Sequence, residues 1–348
     1  KKAKLFKKRI PVPTTEKSES GQTKLMATYR IPPKFEVDTS WPKPLPVGWI
    51  NGQVGGNCVD SHDHSVIVDR RNITEEEKET SMATPSIIMF DKIGNMVRAW
   101  GDPEVVPGSI HGCAFDTEDN VYVAGNNDGI VQKYSHEGEL LLQIGERGKF
   151  DTTDGSRQGE ALNAAHDRLN RPSGIAVDPG NGDIYISDGY GNRRIVVFDK
   201  DGSFLRQWGR QATQQEIEEG APGVFAQVVH CIAMSNEGLI YVCDRQGDRV
   251  QVFDKMGVFI RNIWIRTGTA ALPDPRGTAW TVAFSPDEEQ QHLYVMNGRN
   301  EQVHVLNHKS GEILSTLGRP GHQAGNFTHG HTVAVDSEGS LYVAETAT

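Results

Sequence analysis

The stretch RPSGIAVDPGNGDIYISDGYGNRRIVVFDKDGSFLRQWG, residues 171–209, contains four short apolar runs, SGIAVD, DIYISDG, RRIVVFD and SFLRQWG, parted by Pro, Gly, Asn and Asp. Each run is rich in β-branched and aromatic residues and too short for a stable helix. The spacers supply turn chemistry, so the stretch reads as four antiparallel strands with tight connections. The same order returns along the chain. First runs begin at Gly55, His111, Ser173, His230, Trp280 and His331, as GGNCVD, HGCAFD, SGIAVD, HCIAMS, WTVAFS and HTVAVD. Second runs follow as SVIVD, NVYVAG, DIYISDG, LIYVCDR, HLYVMNG and SLYVAET, and in five copies third and fourth runs complete the unit. A four-stranded unit recurring every 50 to 62 residues buries its faces by stacking on its neighbours. Six such units predict an all-β fold, a six-bladed β-propeller with four-stranded antiparallel blades.

Composition agrees. The chain has 348 residues, 36% of them apolar, and 37 glycines, which suit many tight turns better than long helices. No Pro/Ser-rich linker divides the repeats, so residues 36–348 are expected to form one ring, preceded by an extended or flexible segment over 1–35. A net charge of −10 argues against a nucleic-acid partner, whose phosphates need cationic contacts. No apolar run is long enough for a transmembrane helix, and the basic start at Lys1 lacks the apolar region of an intact signal peptide.

The sixth copy reaches Thr348 after two strands and leaves an edge to be covered. Lys34 to Trp41 (KFEVDTSW) is expected to close the ring in part, as an outer strand. The remaining strand comes either from Leu5 to Val12 or from residues beyond Thr348. The four cysteines, Cys58, Cys113, Cys231 and Cys243, show no CxxC spacing and read as small buried hydrophobes of the inner strands. A disulfide would need two of them, in neighbouring blades, to approach.

His111, His230 and His331 start first strands in blades two, four and six, which puts them roughly 120° apart around one axis. A lone histidine at a strand start is normally a cap or a core residue. A shared register in alternate blades points instead to three ligands around one metal ion, with a coordination position left open. The ends of second strands lie on the same face of the ring and carry Arg70, Tyr190 and Arg245. The guanidiniums suit a carboxylate, and Tyr190 is a candidate base. Arg194 and Arg249, at third-strand starts, read as structural, contacting the neighbouring blade. His62, His64, His136, His292, His304 and His308 read as solvent-facing, and Glu75 to Glu79 as a solvated loop.

From about Gln53 to Thr348 the chain resembles the NHL-repeat propeller of the peptidyl-α-hydroxyglycine α-amidating lyases. The likeness is carried by 171–209 together with GQVGGNCVD at 52–60, IHGCAFDTEDN at 110–120 and CDRQGDRVQVF at 243–253. The resemblance implies zinc on His111, His230 and His331, with Tyr190, Arg70 and Arg245 as catalytic residues. It implies cleavage of an N-acyl-α-hydroxyglycine into an amide and glyoxylate, a peptide or small-molecule substrate bearing a carboxylate, and a secreted or periplasmic home. It also implies calcium held partly by the backbone carbonyls of Val54 and Cys113. Two positions depart from the pattern. His329 replaces a Met two residues before the last zinc histidine, where it is expected to add a fourth ligand or carry a proton. Thr332 replaces the calcium-binding Asp, and losing a carboxylate weakens the case for a hard cation. A non-catalytic propeller that binds a protein partner, and a lactonase-like metal-dependent hydrolase, are the alternative readings.

Overall fold

A computed structural model of the chain describes residues 3–9, 32–265 and 276–346. The expected propeller is what forms. Blade three, the deciding stretch, is Gly174–Val177, Ile184–Asp188, Arg194–Phe198 and Phe204–Trp208, paired in that order and antiparallel throughout. Its second and third strands are buried on both faces, whereas the outermost is largely half-exposed. That pattern follows from radial stacking, since middle strands are covered by a blade on either side. Blades one, two, four and five repeat the plan with first strands Val54–Val59, Ile110–Phe115, Val229–Met234 and Ala279–Phe284.

Blade six is assembled from both parts of the chain. Gly330–Val335 and Leu341–Glu345 are its inner strands, Ala3–Arg9 is the third, and Lys34–Asp38 is the outermost. Leu5 lies opposite Tyr342 on one side and Asp38 on the other. Of the two sources left open for the missing strand, the N-terminal one supplies it as far as Arg9; residues 10–12 lie outside the described residues.

The core is six clusters, one in each gap between neighbouring blades. At the closing seam Ala3, Leu5, Tyr342 and Ala344 of blade six meet Val54, Ile67 and Ile88 of blade one. Trp41, 1% exposed, fills that gap with its ring 5.0 Å from Tyr342 and 5.7 Å from Phe90. Each such fully buried side chain contributes about 1.5–3 kcal/mol relative to exposure.

Three expectations are corrected. All four cysteines are in disulfides: Cys58–Cys113 joins the first strands of blades one and two, and Cys231–Cys243 joins paired strands within blade four. The cysteines stand at register positions where strand pairing and blade packing already bring their backbones together, so a second pairing geometry, within one blade, was open to them. Glu75–Lys78 is a single helical turn, capped reciprocally by Thr74 and Glu77. Most of the histidines expected at the surface are covered: His304 and His308 are buried, His64, His136 and His292 are half-buried, and His62 alone of the six is exposed. No helix among the described residues is long and apolar enough to cross a membrane.

Candidate functional site

The six first strands share one register position, occupied in turn by Gly55, His111, Ser173, His230, Trp280 and His331. In blades one, two, four, five and six the strand pairing slips at this point, so an extra residue bulges out of the ladder. A bulge bends the strand and re-aims its side chain. Here it turns His111, His230 and His331 toward the axis of the ring.

The three imidazoles meet there, with ring centroids 4.7–4.9 Å apart and all ligating atoms within 4.8 Å of one another. The odd-numbered blades orient them. His111 Nδ1 lies 2.8 Å from the carbonyl oxygen of Ser173, and His230 Nδ1 lies 2.6 Å from that of Trp280. The carbonyl of Gly55 stands in the same relation to His331 and pulls its basicity upward, but His331 Nδ1 falls short of hydrogen-bond geometry and has no partner. Alternate blades therefore give an imidazole and a backbone acceptor. This is the outer support that fixes the tautomer of a metal-binding histidine.

Burial pushes all three pKa values well below 6.5, and nearby cations add to it, Arg70 at His111 and His331 and Arg245 at all three. The imidazoles are thus neutral. His230 Nε2 is buried without any hydrogen-bond partner. Three neutral nitrogen donors around one point, one of them orphaned, fit a divalent ion of the zinc class.

Tyr190 closes the outer side. Its hydroxyl is 3.0 Å from His111 Nε2 and accepts from Arg245 Nη1 at 3.2 Å. The loop before it needs Gly189, where a Cβ would stand 1.9 Å from the Val229 carbonyl oxygen. Arg193 braces the same turn, donating to the carbonyls of Gly189, Gly191 and Asn192. Arg245 lies over the Tyr190 and Trp280 rings, 5.4 and 5.0 Å from their centroids. Arg70 donates to the Ile110 carbonyl and to Gln53, and burial lowers its pKa. Nothing in the repeat pattern marked Arg171, whose guanidinium sits 5.5 Å from the Tyr190 centroid and makes a third cation at this mouth. Its Nε is buried without a partner.

His329 lies apart from the trio. It is exposed, in a left-handed backbone conformation, with Nε2 3.4 Å from Arg276 Nη1. Val54 and Cys113 sit in strand ladders, and Thr332 Oγ1 donates to Asn57 Oδ1 at 2.6 Å where the calcium carboxylate would be. A cavity of about 50 Å³ is lined by His111 and His230 together with Asn57, Thr281, Thr332 and Cys113, with no carboxylate among its described residues. It lacks the charged oxygen that a calcium site ordinarily supplies. Arg194 and Arg249 are buried, and their carboxylate partners at 2.9 and 2.8 Å, Asp188 and Asp244, lie in their own blades rather than in the neighbouring one.

Residues 169–198 match the NHL repeat. The chain is 28% identical over 333 residues to "Peptidyl-glycine alpha-amidating monooxygenase B" of Xenopus laevis, covering 89% of this chain and 34% of that protein. It is 28% identical over 291 residues to "Peptidyl-alpha-hydroxyglycine alpha-amidating lyase 1" of Drosophila melanogaster, covering 80% and 50%. It is also 28% identical to the human "NHL repeat-containing protein 3", covering 89% and 81%. The chain thus spans about a third of the length of the first of these relatives. Among solved structures, virginiamycin B lyase from Staphylococcus aureus aligns with a TM-score of 0.52 at 15% identity, covering 85% of this chain and 80% of that one, a likeness of fold alone. The resemblance read from the repeats, to an NHL propeller related to the amidating lyases, is borne out.

Proposed function

We propose that the protein is a zinc-dependent lyase that breaks the C–N bond of an N-acyl- or peptidyl-α-hydroxyglycine, giving an amide and glyoxylate. One observation carries the reading: three neutral, buried imidazoles converge on one point, and the Tyr190 hydroxyl stands 3.0 Å from one of them. His111, His230 and His331 would hold the ion. Bound there, zinc supplies a Lewis acid for the substrate's α-hydroxyl oxygen.

The remaining chemistry falls to this chain's own residues. Arg245 and Arg70 bind the carboxylate, since a guanidinium matches it with two parallel hydrogen bonds. Trp280, already stacked under Arg245, keeps that cation oriented and excludes water from one side. Tyr190, acting as its phenolate, takes the proton of the α-hydroxyl. As the C=O of glyoxylate forms, the C–N bond breaks, its electron pair stays on nitrogen, and the proton held at Tyr190 returns there to give the amide. Nothing is oxidised or reduced. The two disulfides support an oxidising, secreted or periplasmic setting, and an α-hydroxyglycine at a peptide C-terminus is the substrate class suggested by the Drosophila relative's name.

The test is glyoxylate release from a simple N-acyl-α-hydroxyglycine by zinc-loaded protein, chelated protein and a His230→Ala variant. Release by the first alone supports the reading. A folded protein that retains zinc in the histidine centre and releases none overturns it, and the protein-binding platform becomes the better account.

A further inference from the structure

The opposite face of the ring carries a second convergence of ligating groups. Asp60 directly follows the first strand of blade one, and His64 closes the turn after it. His136 comes from the turn between the outer two strands of blade two. Antiparallel pairing puts both turns on the face away from the three-histidine centre. Asp60 Oδ2 lies 2.8 Å from His64 Nδ1 and 3.2 Å from His136 Nε2, and the three ligating atoms lie within 4.8 Å of one another.

The repeats supply the comparison. An Asp in this register caps its turn by accepting backbone amides on Oδ1, in blade two from Asn120 and in blade six from Ser340. Its other oxygen meets lysine, amide or phenol groups and no imidazole: Lys133 (2.9 Å) and Asn120 Nδ2 (3.1 Å) at Asp116, the Lys255 ion pair at Asp178 (2.5 Å), and Tyr342 at Asp336 (3.2 Å). Turn capping therefore needs no histidine. Asp60 keeps the amide contacts, to His62 at 2.9 Å and His64 at 2.7 Å, but presents Oδ2 to two imidazoles from different blades. The carboxyl side chain is fully covered, while His64 and His136 are 27% and 26% exposed. The anion is thus fixed inside and both nitrogens stand at the solvent boundary.

We propose that Asp60, His64 and His136 form a second metal site, which takes a divalent transition ion of the zinc class. Two nitrogens and one carboxylate oxygen suit such an ion and not calcium or magnesium, which take oxygen ligands. Donors about 2.0–2.1 Å from a tetrahedral centre stand about 3.3 Å apart, close to the spacings Asp60 already keeps. The amides on Oδ1 hold the carboxylate in place for its second oxygen to ligate. His62 lies outside the ligand set: its ring centroid is 6.0 Å from that of His64 and its Nδ1 faces Asp119 at 3.3 Å.

The experiment is zinc uptake by chelated protein, measured by equilibrium dialysis and elemental analysis on four versions: the wild type, His230→Ala, a His64→Ala/His136→Ala double variant and His62→Ala. Thermal unfolding of each confirms that it is folded. The expected result is that the double variant takes up one equivalent fewer than the wild type, that His62→Ala takes up as much as the wild type, and that His230→Ala still binds zinc. Cobalt loaded into His230→Ala then gives visible absorption that is lost when His64 and His136 are also replaced. Equal uptake by the double variant and the wild type overturns the proposal, as does the same loss in His62→Ala, which would mark a loose cluster of surface histidines. Glyoxylate release is not a readout here, so failure of this site and failure of the lyase reading remain distinguishable.

Discussion

Replacing Leu5 with Ala tests how the ring closes. Leu5 is 1% exposed and sits in the middle of a strand hydrogen-bonded on both sides, facing the seam filled by Trp41, Val54, Ile67 and Ile88. Paired strands on either side prevent the site from collapsing around a smaller side chain. The full transfer and cavity terms apply, and the loss is about 3–5 kcal/mol. Leu205→Ala is the control, because Leu205 is 43% exposed on the outer strand of blade three and its truncation changes stability by about 0.5 kcal/mol or less. Equilibrium unfolding in urea, followed by tryptophan fluorescence, compares the two, with Trp41 reporting directly from the seam. A difference of about 3 kcal/mol is more than a hundredfold in the folding equilibrium constant. Equal midpoints for the two variants would refute the argument that Ala3–Arg9 closes the propeller by packing, and with it the account of how blade six, which carries His331, is held.

Other outcomes follow from the same contacts. Tyr190→Phe lowers kcat for glyoxylate release by about 10²–10⁴-fold, with zinc content by elemental analysis unchanged. Arg245→Lys raises KM for the same substrate by roughly 10–100-fold, because the two-pronged carboxylate contact is lost; steady-state kinetics separate this from the Tyr190 effect. The disulfides close loops of 55 and 12 residues, so the chain-entropy estimate is about 4 kcal/mol for Cys58–Cys113 and about 3 for Cys231–Cys243; urea midpoints of Cys58→Ala and Cys231→Ala should keep that order. Burial pushes the pKa of His304 down from 6.5 to about 4. Between those values the unfolded chain binds a proton that the native state refuses. The contribution of His304 is therefore intact above about pH 6.5 and stability is lost as pH falls toward 4, at about 1.4 kcal/mol per unit. His304→Gln should flatten that limb, as read from urea midpoints at pH 7 and pH 4.5.

The propeller was legible because its signal is repeated six times, and a strand pattern that is ambiguous once becomes decisive in register. The histidine trio was legible for the same reason. What the pattern did not carry was everything made by contacts between blades. Gly55, Ser173 and Trp280 look unrelated as residue types, and their shared role, a backbone carbonyl behind an imidazole, leaves no trace in side-chain identity. The bulges that aim the histidines come from slipped pairing, which no single residue announces. Arg171 lies two residues before a first run and reaches Tyr190 only because the chain there turns through a left-handed conformation at φ 65°. Asp60, His64 and His136 were hidden because a turn of blade two must fold over a turn of blade one before they meet. His329 shows the converse: two residues from His331 in sequence, it stands exposed and apart from the trio, while the Gly330 amide between them donates to Glu301.

A zinc add-back titration of chelated protein, with glyoxylate release from an N-acyl-α-hydroxyglycine recorded at each point in the wild type and in His230→Ala, decides whether the three-histidine centre drives the lyase reaction. The account predicts that activity returns with zinc in the wild type and reaches a plateau when the three-histidine centre is filled, and that His230→Ala stays inactive at every zinc concentration. Equal glyoxylate release from both proteins, or release that does not respond to zinc, would contradict it.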